Sequence, residues 1–382
     1  MNKIFVSEPF VTGKEYSLVR NAIKQRKISA VNEITKKFEN QIKKITSSKY
    51  VVACSSGTSA LHLALKSLDI NEKHEVIVPS ITFIATANVV RYVGANPIFF
   101  GCDEYFNLDP KILNNFLKEN CYVKNNFTFY KRTKKKISAL IVVHVWGNSA
   151  RIYDIVQICK KFNIKIIEDA TEALGSFFIK KNKVDKHLGT YGDLGCLSFN
   201  GNKIVTTGNG GAVLTFNKKL EKLCRYYSTQ ATNNNESYIH NDLGFNYRMS
   251  ALNAAFGIGQ LKKIKFFVSR KKQIHQLYKN FLDKSNNITI LNNPSYSLSN
   301  NWLNILRFKK NKLKKVCKIF KENNIQIKRV WYPNHLQRHL MKYEKYKVQN
   351  VKEYVETSIC LPSSISLTRQ KIKKICQILK KI

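Results

Sequence analysis

The sequence predicts an α/β fold: a mainly parallel seven-stranded sheet flanked by helices, with a smaller α+β domain at the C-terminal end. Three observations predict it. From residue 50 to 216 short apolar runs alternate with helical patterns. Those runs are apolar throughout rather than at every second position, as in strands covered on both faces. After about Arg248 the texture changes to long lysine-rich amphipathic segments.

The runs are Val51–Ala53, Val76–Pro79, Pro97–Phe100, Ala139–Val145, Lys165–Asp169, Cys196–Phe199 and Ala212–Phe216. Leu61, Ala64, Leu65 and Leu68 recur at helical spacing between the first two runs. Ile152, Ile155, Val156 and Cys159 do the same between the fourth and fifth. Strand–helix alternation of this kind builds a parallel sheet, whose ligands sit at the carboxyl ends of the strands. A polar excursion over residues 119–137, containing KRTKKK, is expected to be a solvated loop. Beyond Arg248, the segments Ala251–Phe267, Lys312–Asn323 and Thr368–Ile382 are helical in pattern. A chain of 382 residues is long for one core, so a large domain over 1–248 and a small one over 249–382 are expected.

The formal charge of +40 raises nucleic acid or an anionic membrane as a partner. Its basic residues are mostly lysines spread along the whole chain among many asparagines and isoleucines, a texture that biased coding DNA produces. A solvated basic surface is expected, with neither nucleic acid nor membrane as partner, although a positive field helps capture an anionic small substrate. Apolar residues at 43% and aromatics at 11% exclude a disordered chain. Nine cysteines without a Cys-x-x-Cys pair suggest reduced, buried thiols, and no metal is expected. MNKIFVSEPF lacks the apolar core of a signal peptide, and no apolar run approaches the ~20 residues of a membrane span. A cytoplasmic location is expected.

Three constellations carry chemistry. CSSGTSALHLALKSL follows a strand and opens a helix. Gly57 allows a tight turn, Thr58 and Ser59 offer hydroxyls, and the first-turn N–H groups make either a phosphate seat or a plain N-cap. In IKIIEDATEALGS, Asp169 ends a buried strand, where a carboxylate needs a cation, a strong donor or a helix to cap. In GCLSFNGNKIVTTGNGGAVLTF, Lys203 lies among glycines and hydroxyl or amide side chains, five residues after Ser198; alone, that is also how a surface turn is written. Together the three are what pyridoxal 5′-phosphate requires: donors for its phosphate, an acid for its ring nitrogen, an amine for its aldehyde.

The stretches SGTSALHLAL, VPSITFIATANVVRYVGANPIFF, VVHVWGNSARI, IIEDATEALGS, GDLGCLSFNGNKIVTTGNGGAV, LGFNYRMSALNAAFGIGQL, WYPNHLQ and ICLPSS occur in this order over nearly the whole chain. In them the sequence resembles the DegT/DnrJ/StrS group of nucleotide-sugar aminotransferases, which have the fold type I architecture of pyridoxal-phosphate enzymes. The resemblance implies that Lys203 holds the cofactor covalently and that Asp169 holds its ring nitrogen. Gly57, Thr58, Ser59 and Ser198 would bind the phosphate, and Phe83 would stack on the ring. Asn246 would reach the phosphate of a neighbouring subunit in a homodimer with shared sites, and His335 would line the sugar pocket. Two departures stand out. Glu172 occupies a place where glutamine is usual, so its carboxylate must share a proton with the ring oxygen or sit apart from it. The early Ser-x-x-Gly loop reads SAVNE, without its glycine, and is given no role.

EDATEALG, GNSA, SFNGNK and the excursion before residue 138 are most similar to enzymes that aminate C4 of UDP-4-keto-6-deoxy-N-acetylglucosamine. L-Glutamate is the amino donor this implies, and Lys203 is both nucleophile and general acid–base. A sugar dehydratase on the same fold would carry histidine in place of Lys203. A noncatalytic regulator or nucleic-acid binder on a transaminase-like body would explain the charge, but no helix-turn-helix or aromatic RNA-binding segment is visible. Arg248 is either a carboxylate contact or a structural residue.

Overall fold

In a computed structural model, which describes residues 3–29, 32–234, 236–283, 285 and 287–381, the seven apolar runs are the central strands. They are β1 (Tyr50–Cys54), β2 (His74–Pro79), β3 (Asn96–Phe100), β4 (Lys136–Val143), β5 (Lys165–Asp169), β6 (Leu194–Ser198) and β7 (Gly211–Thr215). Their order is β1-β7-β6-β5-β4-β2-β3. Pairing is parallel from β6 through β3, and β7 runs antiparallel to both its neighbours. Alternate residues of each strand enter opposite cores, as a period of two requires. Val51, Ile77, Ile98, Leu140 and Ile166 face one core; Val52, Val76, Phe99, Ile141 and Ile167 face the other.

Helix α1 (Gly57–Ser67) leaves β1, and α2 (Ala85–Tyr92) lies between β2 and β3. Ser56 caps α1, its hydroxyl accepting from the Ser59 N–H at 3.0 Å. The register puts Val143 of β4 beside Asp169, and Asp169 beside Cys196 of β6. The carboxyl ends of β5 and β6 therefore open at one edge of the sheet.

The polar excursion before residue 138 is not a solvated loop. Cys121–Lys124 and Phe127–Tyr130 form an antiparallel hairpin that joins β4 through Phe129 and Lys136. Its turn is Asn125–Asn126, both at positive φ (50° and 61°), the conformation that two-residue hairpin turns favour and asparagine tolerates. The expected helix over Ala251–Phe267 is divided into Ala251–Leu261 and Ile264–Leu282. Of the SAVNE stretch, Ala30 and Val31 lie outside the described residues.

Beyond residue 282 an antiparallel sheet runs Ile288–Ile290, Asn304–Phe308, Ser358–Leu361, Lys328–Arg329. Ile274 and Tyr278 of Ile264–Leu282, Phe320 of Leu313–Glu322 and Ile372 of Arg369–Leu379 join its core. The chain crosses between this sheet and the large one in both directions. Ser363 N–H donates to Val6 at 2.7 Å, while Glu344–Tyr346 adds a parallel edge strand to β3. Ser297–Leu298 pairs with Phe177–Lys180, which delivers the segment around residue 300 to the sheet's carboxyl edge. All nine cysteines are unpaired and all but Cys317 are buried. No described helix is long and apolar enough to cross a membrane.

Gly195, in the middle of β6, has no room for a side chain: a Cβ there would lie 2.0 Å from the Gly189 carbonyl oxygen. That is backbone against backbone, so relief requires a strand to shift. Gly195→Ala should destabilise the protein by about 1–3 kcal/mol, read as a lower urea midpoint with an unchanged slope.

Candidate active site

The carboxyl edge of the sheet opens into a cavity of about 280 Å³. Gly57 and Thr58 from the mouth of α1, Asp169 at the end of β5, Ser198 at the end of β6 and Lys203 on the following loop all line it. Glu172 and Phe83 join them from the loops after β5 and β2. Strand polarity accounts for most of this: β1, β5 and β6 all end at one edge, and their following loops converge there. Gly57 is packed so closely on Ser198 that a Cβ would stand 2.8 Å from that residue's Cβ. The helix mouth and the serine thus form one corner.

Asp169 is only 3% exposed. The Thr86 hydroxyl donates to its Oδ2 at 2.7 Å and the Thr171 N–H to its Oδ1 at 3.2 Å. These bonds orient the carboxylate but supply no full charge, so a cation at the site would find it unneutralised.

Glu172 is buried with one oxygen committed: Oε2 accepts the Trp146 N–H at 2.8 Å, while Oε1 lies 3.5 Å from Lys203 Nζ. Burial raises its pKa to about 6, against the pull of the Lys203 charge. Burial likewise lowers the pKa of Lys203, opposed by Glu172 and Asp169. The Lys203 ammonium also stands 4.1 Å from the centroid of the Trp302 ring, a cation–π contact. Trp146 presents its N–H to Glu172 from a left-handed backbone (φ 55°, ψ 21°), a conformation that is costly for a bulky residue. Its indole is held by a stack on Trp331 at 5.4 Å and an edge contact with Phe106.

Behind the cavity His144 and Glu168 are fully buried, with Nε2 and Oε2 2.8 Å apart. His144 Nδ1 accepts the Ala150 N–H, so the ring proton sits on Nε2 and is donated to Glu168. Burial pushes Glu168 up, but the His144 bond and the N–H groups of Gly192 and Gly189 bring its carboxyl below the usual range. This network pins the loop at 189–192 beneath the strand that ends in Asp169.

Three expected site residues lie off the cavity wall. The buried Ser59 hydroxyl is bonded to Ser55 and Ser56, at 2.9 and 2.8 Å. His335 is buried with Nδ1 3.1 Å from the Ser80 hydroxyl, and burial, helped by Lys345, lowers its pKa to about 4. Asn246 is exposed on a segment bridged to Thr229. Conversely Thr86, Trp302, Lys328 and Trp331 line the cavity and were not anticipated. Thr86 follows Phe83 by three residues, one helical turn, and that spacing was the available signal.

The donor set fits pyridoxal phosphate on its own chemistry. Gly57 and Thr58 supply first-turn N–H groups that a helix leaves unpaired, set against the Ser198 hydroxyl. Asp169 is a buried acid that forms no ion pair among the described residues, and Lys203 is a largely buried amine. Among the described residues, Asn202 Oδ1 in the same cavity is buried without a hydrogen-bond partner.

The raised pKa of Glu172 has a definite sign in stability. Its carboxyl, with a folded value of about 6 against 4.5 ordinarily, takes up a proton in the folded state first, so stability rises as pH falls through that window. Wild type should gain roughly 1 kcal/mol over Glu172→Gln between pH 7 and pH 5, measured by urea denaturation of both proteins at the two pH values.

Comparison with known proteins matches residues 11–380 to the sequence profile of the DegT/DnrJ/EryC1/StrS aminotransferase family. The putative pyridoxal phosphate-dependent aminotransferase EpsN of Bacillus subtilis is 31% identical over 99% of this chain and 95% of its own. GDP-perosamine synthase of Escherichia coli O157:H7 is 32% identical over 99% and 98%. Among solved structures, a DegT DnrJ EryC1 StrS aminotransferase from Brucella abortus superposes with a TM-score of 0.88 at 22% identity, covering 97% of this chain and 95% of that one. At that identity the superposition speaks for the fold.

Proposed function

Because this chain belongs to the DegT/DnrJ/EryC1/StrS aminotransferase family and is a pyridoxal-phosphate-dependent sugar aminotransferase of fold type I, we propose that it transfers an amino group from L-glutamate to C4 of UDP-4-keto-6-deoxy-N-acetylglucosamine. The observation that carries the transaminase chemistry is a lysine only 13% exposed that shares one cavity with a buried aspartate and a helix mouth. The acceptor rests on the subgroup likeness of EDATEALG, GNSA and SFNGNK. A GDP-linked 4-keto sugar is the second reading, favoured by the likeness to GDP-perosamine synthase.

When bound, pyridoxal phosphate supplies an aldehyde that captures amines and a cationic ring that draws electrons from the attached carbon. In this reading Asp169 keeps the ring nitrogen protonated, its carboxylate held in orientation by Thr86 and Thr171. Gly57 and Thr58 N–H groups and the Ser198 hydroxyl take the phosphate. Ser59 braces that turn, since its N–H and hydroxyl are already bonded to Ser56. Phe83, 56% exposed at the cavity rim, supplies an aromatic face.

Lys203 acts as nucleophile through its neutral amine, which burial favours. With its amine free, Lys203 would take the proton from the donor's Cα and later deliver a proton to C4 of the sugar. Each time Lys203 gains that proton, Glu172 is the carboxylate beside it that balances the charge. His335 and Asn334 hold the turn that carries Phe83: Asn334 N–H donates to the Ser80 carbonyl at 2.8 Å and its amide to the Thr82 carbonyl at 3.2 Å. We also read the chain as a homodimer in which Asn246 reaches the neighbouring phosphate. Asn246 is exposed and belongs to the same stretch of sequence as Tyr238 and Leu243, large side chains open to solvent.

Lys203→Ala should lower turnover by at least about a hundredfold while the protein stays folded by circular dichroism. Unchanged multiple turnover would remove Lys203 from the chemistry. Incubated with L-glutamate and a panel of UDP-, GDP- and dTDP-linked 4-keto sugars, the protein should give an amino sugar from the UDP substrate by mass spectrometry. Amination of only the GDP sugar would establish the second reading, and loss of a hydroxyl without gain of nitrogen would indicate a dehydratase.

A further inference from the structure

Among the described residues, the cavity holds one lysine besides Lys203, and none of the roles above employs it. Lys328 lies on the short strand Lys328–Arg329, held by pairing with Cys360 and Ile359 of Ser358–Leu361, and it lines the cavity with Trp302 and Trp331. Its ammonium is 5.8 Å from the centroid of the Trp302 ring, the same ring that Lys203 meets at 4.1 Å. Among the described residues it forms no ion pair. The cavity's carboxylates are engaged elsewhere: Asp169 with Thr86 and Thr171, Glu172 with Trp146 and Lys203. Two ammonium groups about one indole repel, and the Lys328 charge adds to burial in lowering the basicity of Lys203. A cation placed there without a protein counterion makes a site for an anion.

Four anionic groups enter the proposed reaction, and one of them, the γ-carboxylate of L-glutamate, lies two methylene groups away from the carbon that bears the exchanging amine. The cofactor's phosphate has its own corner at Gly57 and Ser198. The diphosphate of a sugar nucleotide is separated from the reacting ketone carbon by the width of the sugar ring. The α-carboxylate of an amino-acid donor is attached to the very carbon that bears the exchanging amine. Proximity of Lys328 to Lys203 through one indole therefore favours the α-carboxylate. Trp302 and Trp331 supply apolar wall for the donor's methylene groups.

We propose that Lys328, standing with Trp302 and Trp331 beside Lys203, is the seat of the amino donor's α-carboxylate. This rests on the reading of the protein as an aminotransferase with an amino-acid donor, and the experiment separates the two. The holoenzyme is mixed with increasing L-glutamate without acceptor, and the absorbance change of the bound cofactor is followed for wild type, Lys328→Met and Lys328→Arg. Lys328→Met should raise the half-saturating glutamate concentration on the order of ten- to a hundredfold, the worth of a hydrogen bond to a charged group. That rise should exceed any fall in the saturating rate, and Lys328→Arg should recover most of it. The reverse half-reaction with the nucleotide sugar should keep its concentration dependence.

As a second readout, 2-oxoglutarate should protect Lys328 of the wild-type holoenzyme from acetylation, measured by peptide mass spectrometry against a surface lysine such as Lys321. If Lys328→Met does not fold, this protection decides. An unchanged glutamate dependence, absent protection, or a defect confined to the nucleotide-sugar half-reaction would overturn the proposal, the last assigning Lys328 to the diphosphate. Should wild type itself not respond to L-glutamate, the donor reading fails. The comparison is then made with whichever amino acid does respond, since each carries the same α-carboxylate.

Discussion

Taking an ammonium and a carboxylate out of water together is the constraint around which this site is organised. Neither Lys203 nor Glu172 could be buried alone without losing its charge. Their pairing at 3.5 Å is loose, so each needs further support. Glu172 receives it from the Trp146 N–H, and Lys203 from the face of Trp302. Those partners are themselves held. Asn300 donates from its amide to the carbonyls of Glu172 and Leu174, both at 2.9 Å, and accepts from the Trp302 N–H at the same distance. Trp302 closes the circuit by donating its indole N–H to the Asn202 carbonyl at 2.7 Å, one residue before Lys203. The segment that does this arrives by way of the Ser297–Leu298 pairing, so the geometry of the amine is set as much by the C-terminal third of the chain as by the sheet.

Beneath that pair lies a second buried pair with a different logic. His144 and Glu168 sit on adjacent strand ends, and the backbone groups around them determine which ring nitrogen carries the proton. Glu168 gathers N–H groups from Gly189, Tyr191 and Gly192, satisfying a loop that would otherwise carry unpaired donors into the interior. The residue after it is Asp169. A strand whose last two residues face opposite sides thus uses one carboxylate as a brace for the fold and the next as a group open to the cavity.

Features written in consecutive residues were legible in the sequence. The strands are apolar on both sides and bounded by turns, so all seven could be placed; Gly57, Asp169, Ser198 and Lys203 lie in short motifs at their ends, and the cavity contains them all. What escaped comes from distance along the chain. Trp302, Lys328 and Trp331 belong to segments with no repeating pattern, and only tertiary packing brings them to Lys203. Thr86 was hidden in a helix start, where its hydroxyl looks like any other. The hairpin before residue 138 escapes a reading by pattern because only its second strand, FTFY, alternates in burial, while Tyr122, Val123 and Lys124 of the first are all exposed. His335 lies off the cavity wall, with its Nδ1 3.1 Å from the hydroxyl of the buried Ser80, a contact that its motif does not reveal.

The chain contains three tryptophans, and all three converge on this one place: Trp302 and Trp331 line the cavity and Trp146 stacks on Trp331. Tryptophan emission from the native protein, excited beyond the tyrosine absorption band, therefore originates within a few side chains of the reactive amine. A chromophore docking there would quench that light, so the protein carries its own optical gauge of occupancy, without dye or label.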